Sequence, residues 1–206
     1  GYHLVYDYNG IEALSSIICF LETYDFSHIW LYCHKQCFGA IDYIGGTPAV
    51  QKLNYQKGVY IITGGVGAIG STAAFHLNRQ VRDSTIVLIG HGGAETVPVV
   101  PRHGNKIKRI ETDICDSLQI SRLLLRIQSQ YGAIKGMIHT AGYHEFQYIS
   151  RFSREAAECV FAPKVAGAYG ISLFAQRYPP NFVLFCSSLT SVLPTAGQAA
   201  YCAANR

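Results

Sequence analysis

The sequence predicts an α/β fold in which a doubly wound parallel sheet is covered by helices on both faces. From Gly58 onward, short apolar and β-branched runs alternate with segments whose apolar residues recur at helical spacing. A glycine-rich turn joins the first of these runs to the first helical segment. Of the 206 residues, 49% are hydrophobic and 15% are charged, which supplies enough apolar side chains for strands buried on both faces.

The hydrophobic pattern of residues 1–57 predicts a smaller strand–helix–strand unit that precedes the alternating region. Leu4–Tyr6 and Ile29–Cys33 are short apolar strands, and Ile11–Leu21 places its apolar residues at helical spacing. Phe38–Tyr55 carries glycines, a proline and little periodicity, which indicates a linker. We therefore expect a small structural part first and a larger sheet after it.

Residues 58–206 form this larger part, and its strands and helices follow one another in turn. The predicted strands are Val59–Thr63, Thr85–Ile89, Ile107–Thr112, Gly136–Thr140 and Phe182–Cys186. The predicted helices are Ala68–Gln80, Ser117–Tyr131, Ala156–Arg177 and a last one from Ala199 onward. Asp116 suits the cap position of the second helix, and Gly92–Asn105 is rich in loop-forming residues.

The glycine-rich turn has the spacing of a dinucleotide-binding site. Gly65, Gly67 and Gly70 fit G-x-G-x-x-G between a predicted strand and a predicted helix, which is the context that the pattern requires. Such glycines permit a tight turn, let the backbone approach a pyrophosphate and let the helix pack closely on the strand. The same residues would also serve a turn that only packs one strand on one helix, so the pattern alone leaves both interpretations open.

A second group of polar residues lies near the end of the chain. Ser187 and Ser188 follow an apolar strand, Tyr201 comes thirteen residues after Ser188, and Asn205 comes four residues later. In a helix Tyr201 and Asn205 lie one turn apart on the same face. A serine at a strand tip beside a helical tyrosine is a plausible proton-donor site. Taken singly, the tyrosine would be one buried residue among fourteen tyrosines and the serines a strand-end turn.

Composition and charge exclude several other classes of function. The net charge is +4 with scattered basic residues, so nucleic acid is not expected as a partner. No run of about 18 apolar residues predicts a membrane span, and the first residues lack the features of a signal peptide. Seven cysteines, an odd number with mostly apolar neighbours, indicate reduced thiols and a cytoplasmic location. Cys33 and Cys37 lack a second pair at suitable spacing, so no metal site is predicted.

These motifs together resemble the short-chain dehydrogenase/reductase superfamily and, more narrowly, the ketoreductase domain of modular polyketide synthases and fatty-acid megasynthases. The matching segments are Thr63–Gly70, Asp113–Ile114, Ile138–Gly142, Pro163–Gly167 and Ser187–Asn205, which span about three quarters of the chain. The resemblance implies a Rossmann-like sheet in residues 58–206. It also implies that residues 1–57 are a degenerate half that binds no nucleotide.

The place of one lysine favours the megasynthase branch. Ordinary members of the superfamily carry a lysine four residues after the catalytic tyrosine. Here that position is Asn205, and Lys164 lies earlier, on the preceding long helix, as in the ketoreductase branch. The resemblance implies that Tyr201 is the general acid and that the Lys164 ammonium stabilises the phenolate. Ser188 would hold the carbonyl oxygen, and Asn205 would position Lys164 or a water.

The resemblance also implies NADPH as the cofactor and names the residues that would bind it. Asp113 and Ile114 would meet the adenine, whereas Ala141 and Gly142 would approach the ribose and nicotinamide. His91 stands where the family usually has an arginine for the 2′-phosphate, and it could equally be an ordinary loop residue. His139 is expected to be structural. The full cofactor-binding set is Thr63, Gly65, Val66, Gly67, Ala68, Ile69, Gly70, His91, Asp113, Ile114, Ala141 and Gly142.

The implied substrate is a β-ketoacyl thioester on an acyl carrier protein, with the other domains of a megasynthase as partners. A free-standing alcohol or ketone reductase, or a non-catalytic binding or structural domain, remains an alternative. His144-Glu145-Phe146 stands where some relatives carry Leu-Asp-Asp, and Leu193 where others carry tryptophan, so the product stereochemistry stays open. The resemblance further implies that more elements would follow Arg206. We therefore expect an exposed sheet edge and weak or no activity of this chain alone.

Overall fold

The computed structural model describes residues 55–91, 99–191 and 194–206, Leu53, and three N-terminal strands. Eight described strands form one sheet. They are β1 (His3–Asp7), β2 (Trp30–Cys33), β3 (Gln36–Gly39), β4 (Val59–Thr63), β5 (Thr85–Gly90), β6 (Lys106–Glu111), β7 (Ile134–His139) and β8 (Phe182–Cys186). The predicted helix Ile11–Leu21 and most of the predicted linker lie outside the described residues.

The described helices are α1 (Ala68–Gln80), α2 (Ser117–Tyr131), α3 (Arg154–Phe161), α4 (Gly167–Arg177) and α5 (Ala199–Ala204). The bounds of α1 and α2 are those predicted. As predicted, Asp116 caps α2, since its carboxylate accepts hydrogen bonds from Leu118 N at 2.8 Å and Gln119 N at 3.0 Å. None of the described helices is both long enough and apolar enough to cross a membrane.

The predicted continuous helix Ala156–Arg177 is wrong in two respects. A π-helical segment, Ala162–Ala166, separates α3 from α4, and α3 already begins at Arg154. Pro163 lies at the start of this segment. It has no N–H, and its ring would clash with a carbonyl one turn earlier in a regular α-helix, so the wider turn accommodates it.

The strands lie in the order β3-β2-β1-β8-β7-β4-β5-β6, and all neighbours are parallel except β2 and β3. From β4 the chain proceeds outward through β5 and β6 and then returns to β7 on the other side. The strand order therefore reverses between β4 and β7. Ligands of open α/β sheets bind at such a reversal, outside the carboxyl ends of the strands.

Alternating residues of the central strand point into two cores, one on each face of the sheet. Tyr60 and Ile62 pack with residues of α1, whereas Val59 and Ile61 pack with residues of α2 and α4. All four side chains are almost fully buried. The period of two and the burial on both faces explain why this strand is apolar throughout. The doubly wound parallel sheet is confirmed.

The N-terminal strands differ from the prediction in two ways. β1 pairs in parallel with β8, from His3 opposite Leu184 to Val5 opposite Cys186, so this side of β8 is not the exposed edge that we expected. Phe38 belongs to β3, which pairs antiparallel with β2, and not to a linker. Pairing with a neighbouring strand decides such short segments, and their own sequence carries little of that information.

Candidate active site

The glycine-rich turn after β4 brings the backbone close to the N-terminus of α1. Gly64 has φ of +70°, a conformation that favours glycine, and Gly65 N–H donates to Ile89 O at 3.1 Å. A methyl group on Gly70 would overlap the Gly64 carbonyl oxygen, because the helix lies directly against the turn. Gly67 is the N-cap of α1, and no side chain caps this helix. The helix N-terminus therefore has backbone N–H groups available to an anion.

A cleft of about 710 Å³ opens beside this turn, at the carboxyl ends of the central strands. Seven of the predicted cofactor residues line it, namely Val66, Gly67, His91, Asp113, Ile114, Ala141 and Gly142. Thr63, Gly65 and Gly70 are buried beneath it, and Ala68 and Ile69 do not line it. The volume is within the range of small-molecule sites, about 300–1,000 Å³.

Asp113 is a fixed negative charge in this cleft. Hydrogen bonds from the thiol and the N–H of Cys115, the latter 2.8 Å long, hold the pKa of Asp113 below its usual range, and the nearby His91 acts in the same direction. Burial and the Asp113 carboxylate in turn raise the pKa of the Cys115 thiol to about 12. Cys115 and Cys159 also line the cleft, although no sequence motif pointed to them.

Lys164 lies in the π-helical segment between the cleft and β8. Its Nζ donates a hydrogen bond to Cys186 O at 2.7 Å, and 8% of its surface is exposed. A methyl group on Gly142, which lines the cleft, would approach Lys164 Cε to 2.7 Å, so the lysine stem passes directly beneath that glycine. Burial lowers the pKa of Lys164. A buried lysine is unfavourable unless its ammonium has partners, so such a residue is a candidate for function.

Hydrogen bonds connect the end of β8 with α5. Ser187 Oγ donates to Asn205 O at 2.6 Å, and Asn205 Nδ2 donates to Tyr201 O at 2.8 Å. Asn205 Oδ1 is buried and has no partner among the described residues, which leaves an acceptor for a water or an ammonium. Ser188 Oγ accepts from Thr190 Oγ1 at 2.9 Å. Sequence reasoning missed the role of Ser187, although it is the other member of the serine pair.

Hydrogen bonds to backbone atoms tie Lys164, Asn205 and Tyr201 to the end of β8 or to one another, whereas the Ser188 hydroxyl bonds to Thr190 in its own turn. Lys164 Nζ donates to the carbonyl of Cys186, which directly precedes Ser187. Ser187 Oγ donates to the carbonyl of Asn205, which is the C-cap of α5, the helix that carries Tyr201. In the described ranges, no hydrogen bond joins the side chains of Tyr201, Ser188 and Lys164 directly. Catalytic hydrogen bonds are often long in a protein without its substrate, so this geometry is compatible with the predicted roles.

His139 is a buried structural residue at the end of β7. It is 1% exposed, and its Nδ1 lies 2.6 Å from Thr63 Oγ1. Burial and then the charge of Lys164 lower the pKa of His139 to about 3. The backbone carbonyls of Pro163 and Lys164 raise this pKa, but by less than burial and the lysine charge lower it. The His139 Nε2 atom has no hydrogen-bond partner in the described part of the chain.

The residues around the cleft fit a nicotinamide dinucleotide. The turn of glycines leaves its backbone open to a diphosphate, because Gly67 is exposed and lines the cleft. Asp113, Ile114, Ala141 and Gly142 all line the cleft. The Lys164 stem passes beneath Gly142, so this part of the lining adjoins the buried ammonium.

Comparison with known proteins identifies the family. The KR domain model matches residues 58–206, which is more than half of the chain. The chain therefore belongs to the KR family, the ketoreductase domains of polyketide synthases within the short-chain dehydrogenase/reductase superfamily.

Individual relatives agree with this assignment. Polyketide synthase PksL of Bacillus subtilis (strain 168) is 32% identical over 159 residues, which cover 72% of this chain and 3% of that protein. The N-terminal ketoreductase from the macrolactin assembly line is a similar solved structure, with a TM-score of 0.66 and 31% identity, covering 76% of this chain and 33% of that chain. Thermoplasma acidophilum aldohexose dehydrogenase has a TM-score of 0.62 at 21% identity, covering 73% and 56%, and shares the fold. The chain thus spans a small part of its curated relative.

Proposed function

We propose that this domain reduces a β-ketoacyl thioester on an acyl carrier protein to a β-hydroxyacyl thioester, with NADPH, within a polyketide synthase. Ketoreductase membership supports the type of reaction. The observation that carries the assignment to this chain is the buried Lys164, whose stem lies under the cofactor cleft and whose ammonium reaches the end of β8 beside the serines. Ketone reduction needs a proton donor at the carbonyl oxygen, and a cation near that donor would stabilise the phenolate that remains.

The protein residues would supply orientation and a proton. When bound, NADPH supplies the hydride. Ser188 would donate a hydrogen bond to the substrate carbonyl oxygen, and Tyr201 would transfer its phenolic proton to the same oxygen. The Lys164 ammonium would stabilise the remaining phenolate, and the free Asn205 Oδ1 would hold Lys164 or a water that returns the proton.

The cofactor and the cellular compartment are part of the proposal. His91, at the end of β5, lines the cleft where an NADP-binding relative would hold the 2′-phosphate, and no carboxylate replaces it there. An exposed imidazole is a weaker phosphate ligand than an arginine, but NADPH remains the better candidate. The described Cys115, Cys159 and Cys202 are thiols, which fits a cytoplasmic protein.

The test is reduction of a β-ketobutyryl thioester, attached to N-acetylcysteamine or to a carrier protein, followed by loss of NADPH absorbance. We expect Tyr201→Phe to lower kcat by at least about 100-fold, since it removes the acid. NADPH affinity should be unchanged. Tyr169→Phe is the matched control, because Tyr169 is an exposed tyrosine on α4 that should not affect the rate.

Four results would contradict parts of the proposal. An undiminished rate in Tyr201→Phe would remove Tyr201 as the acid. Equal efficiency with NADH and NADPH would overturn the cofactor assignment. Binding of NADPH without reduction of either thioester would favour the non-catalytic alternative for this chain. Preference for the thioester of N-acetylcysteamine over the carrier-bound one would favour a free-standing reductase.

A further inference from the structure

The ring of His144 packs against the ring of Tyr201. The two centroids are 4.8 Å apart and the ring planes meet at 82°, which is an edge-to-face aromatic contact. Among the described residues, no hydrogen bond holds the Tyr201 hydroxyl. The orientation of the phenol in this structure therefore depends on ring packing and on the helix that carries it.

That helix is a weak support by itself. α5 has six residues and no side-chain cap at its N-terminus, where Gln198 is the N-cap. Isolated helices of this length are unstable, because a single turn fixes many dihedral angles for few hydrogen bonds. Contacts from outside α5 must therefore fix the direction in which Tyr201 points.

The loop that carries His144 is fixed to the turn that precedes α5. Gln147 N–H donates to Gly197 O at 2.8 Å. The Phe146 ring lies on Gly197, which has φ of +78°, and a methyl group on this glycine would overlap the ring. Gly197 precedes Tyr201 by four residues, so both contacts join the segment of His144 to the segment that carries Tyr201. The ring contact is thus supported by two further contacts between the same segments.

We infer that His144 is a positioning residue that holds the Tyr201 phenol in the orientation needed for proton transfer. The inference rests on the proposed function of Tyr201. His144 is not proposed to touch the reacting atoms. It acts through the aromatic ring, so any flat aromatic side chain at this position should replace it.

Steady-state kinetics of His144→Ala and His144→Phe test the inference. We expect His144→Ala to lower kcat about 3- to 10-fold, which matches the usual strength of an edge-to-face pair, while KM for NADPH stays unchanged. His144→Phe should recover most of the loss, because it keeps the ring. Ile149→Ala is the control, since Ile149 begins the 3-10 turn that follows this loop and is 77% exposed. An unchanged kcat in His144→Ala would overturn the inference, as would an equal loss in both His144 variants.

A spectroscopic measurement tests the same contact without activity. In protein with ¹³C-labelled tyrosine rings, the signal absent from Tyr201→Phe belongs to Tyr201. We expect this signal to move in His144→Ala and to remain near its original position in His144→Phe, since ring currents depend on the contact. A signal that stays in place in His144→Ala would contradict the inference even if the wild-type chain reduced no substrate. Failure of the proposed function would instead appear as absent turnover with the ring contact intact.

Discussion

At the scale of single residues, the buried ammonium of Lys164 lies next to the buried, uncharged imidazole of His139. Lys164 and His139 are neighbours, and the charge of Lys164 helps to keep the imidazole uncharged. Thr63 holds the imidazole at its Nδ1, and Gly167 leaves room for the ring, since a methyl group there would lie 3.0 Å from His139 Cε1. The histidine thus fills the space behind the lysine without adding a second charge.

This arrangement predicts acid sensitivity that arises from His139. The folded-state pKa is about 3, well below the value of about 6.5 expected in the unfolded chain, so between these two pH values the unfolded state binds more protons than the folded state. The stability contribution is fully present above about pH 6.5 and is lost as the pH falls toward 3. At pH 5 the loss is about 2 kcal/mol.

Urea unfolding at pH 8, 6.5 and 5 measures this effect. His139→Gln should show a shallower fall of the unfolding free energy between pH 6.5 and 5 than the wild type, even if it is less stable at pH 8. Parallel curves for the two proteins would show that His139 is not the group responsible.

At the scale of elements, the turn between β4 and α1 contains glycines with different tasks. Gly70 lets the helix lie against the turn, because a methyl group there would overlap the backbone of Gly64 and Gly65. Gly67 faces the cleft, and its φ of −79° and ψ of 171° are allowed for any residue. The same motif therefore contains one glycine for packing and one on the cleft, where we propose that the cofactor approaches the backbone.

We therefore expect the two alanine variants to fail in different ways. Gly70→Ala should lower the unfolding free energy by at least about 2 kcal/mol, because backbone atoms would have to move. Gly67→Ala should melt near the wild-type temperature but bind NADPH about 10-fold more weakly, because its methyl group enters the cleft. Thermal melting and NADPH fluorescence separate the two effects. Normal stability of Gly70→Ala, or normal binding by Gly67→Ala, would contradict this division.

The π-helical segment is the second element with a functional consequence. It lies where Pro163 interrupts the predicted helix, and it carries Lys164 toward β8 instead of along the regular helical face. π-helical turns occur often at functional sites, because they change the direction of a few side chains while the helix continues. Here the segment places the Lys164 side chain in the interior, between the sheet and the cleft.

At the scale of the whole molecule, the first strands extend the sheet of the ketoreductase part. β1 pairs with β8 at three registered positions, whereas the KR family match begins at residue 58. We still propose that residues 1–57 are structural and that residues 58–206 bind the cofactor. The sheet nevertheless runs through both parts, so the two are not expected to be independently stable.

Removal of residues 1–57 should therefore destabilise the remaining chain. Loss of the β1–β8 pairing would lower the unfolding free energy by about 1–3 kcal/mol, judged from three cross-strand pairs. It would also leave the edge of β8 open to pairing with another molecule. Urea unfolding and size-exclusion chromatography measure both effects. A truncated chain as stable as the full one, and equally monomeric, would indicate an independent N-terminal domain.

The sequence alone determined most of the second part of the fold. The bounds of β4, β8, α1 and α2 agree with their patterns, because hydrophobic period, capping and glycine turns act over a few neighbouring residues. For the same reason the spacing of the glycines is enough to locate the turn between β4 and α1. The family resemblance supplied the roles of Tyr201, Ser188, Lys164 and Asn205, which still await experiment.

Only the tertiary structure decided the features that join distant segments. Lys164 meets Cys186 O across 22 positions, and His144 meets the Tyr201 ring although the two lie in separate loop and helix segments. The pairing of β1 with β8 and the hydrogen bond from Ser187 to Asn205 are of the same kind. Such contacts depend on how the sheet and helices pack around a common core, and local patterns of residues do not contain that information.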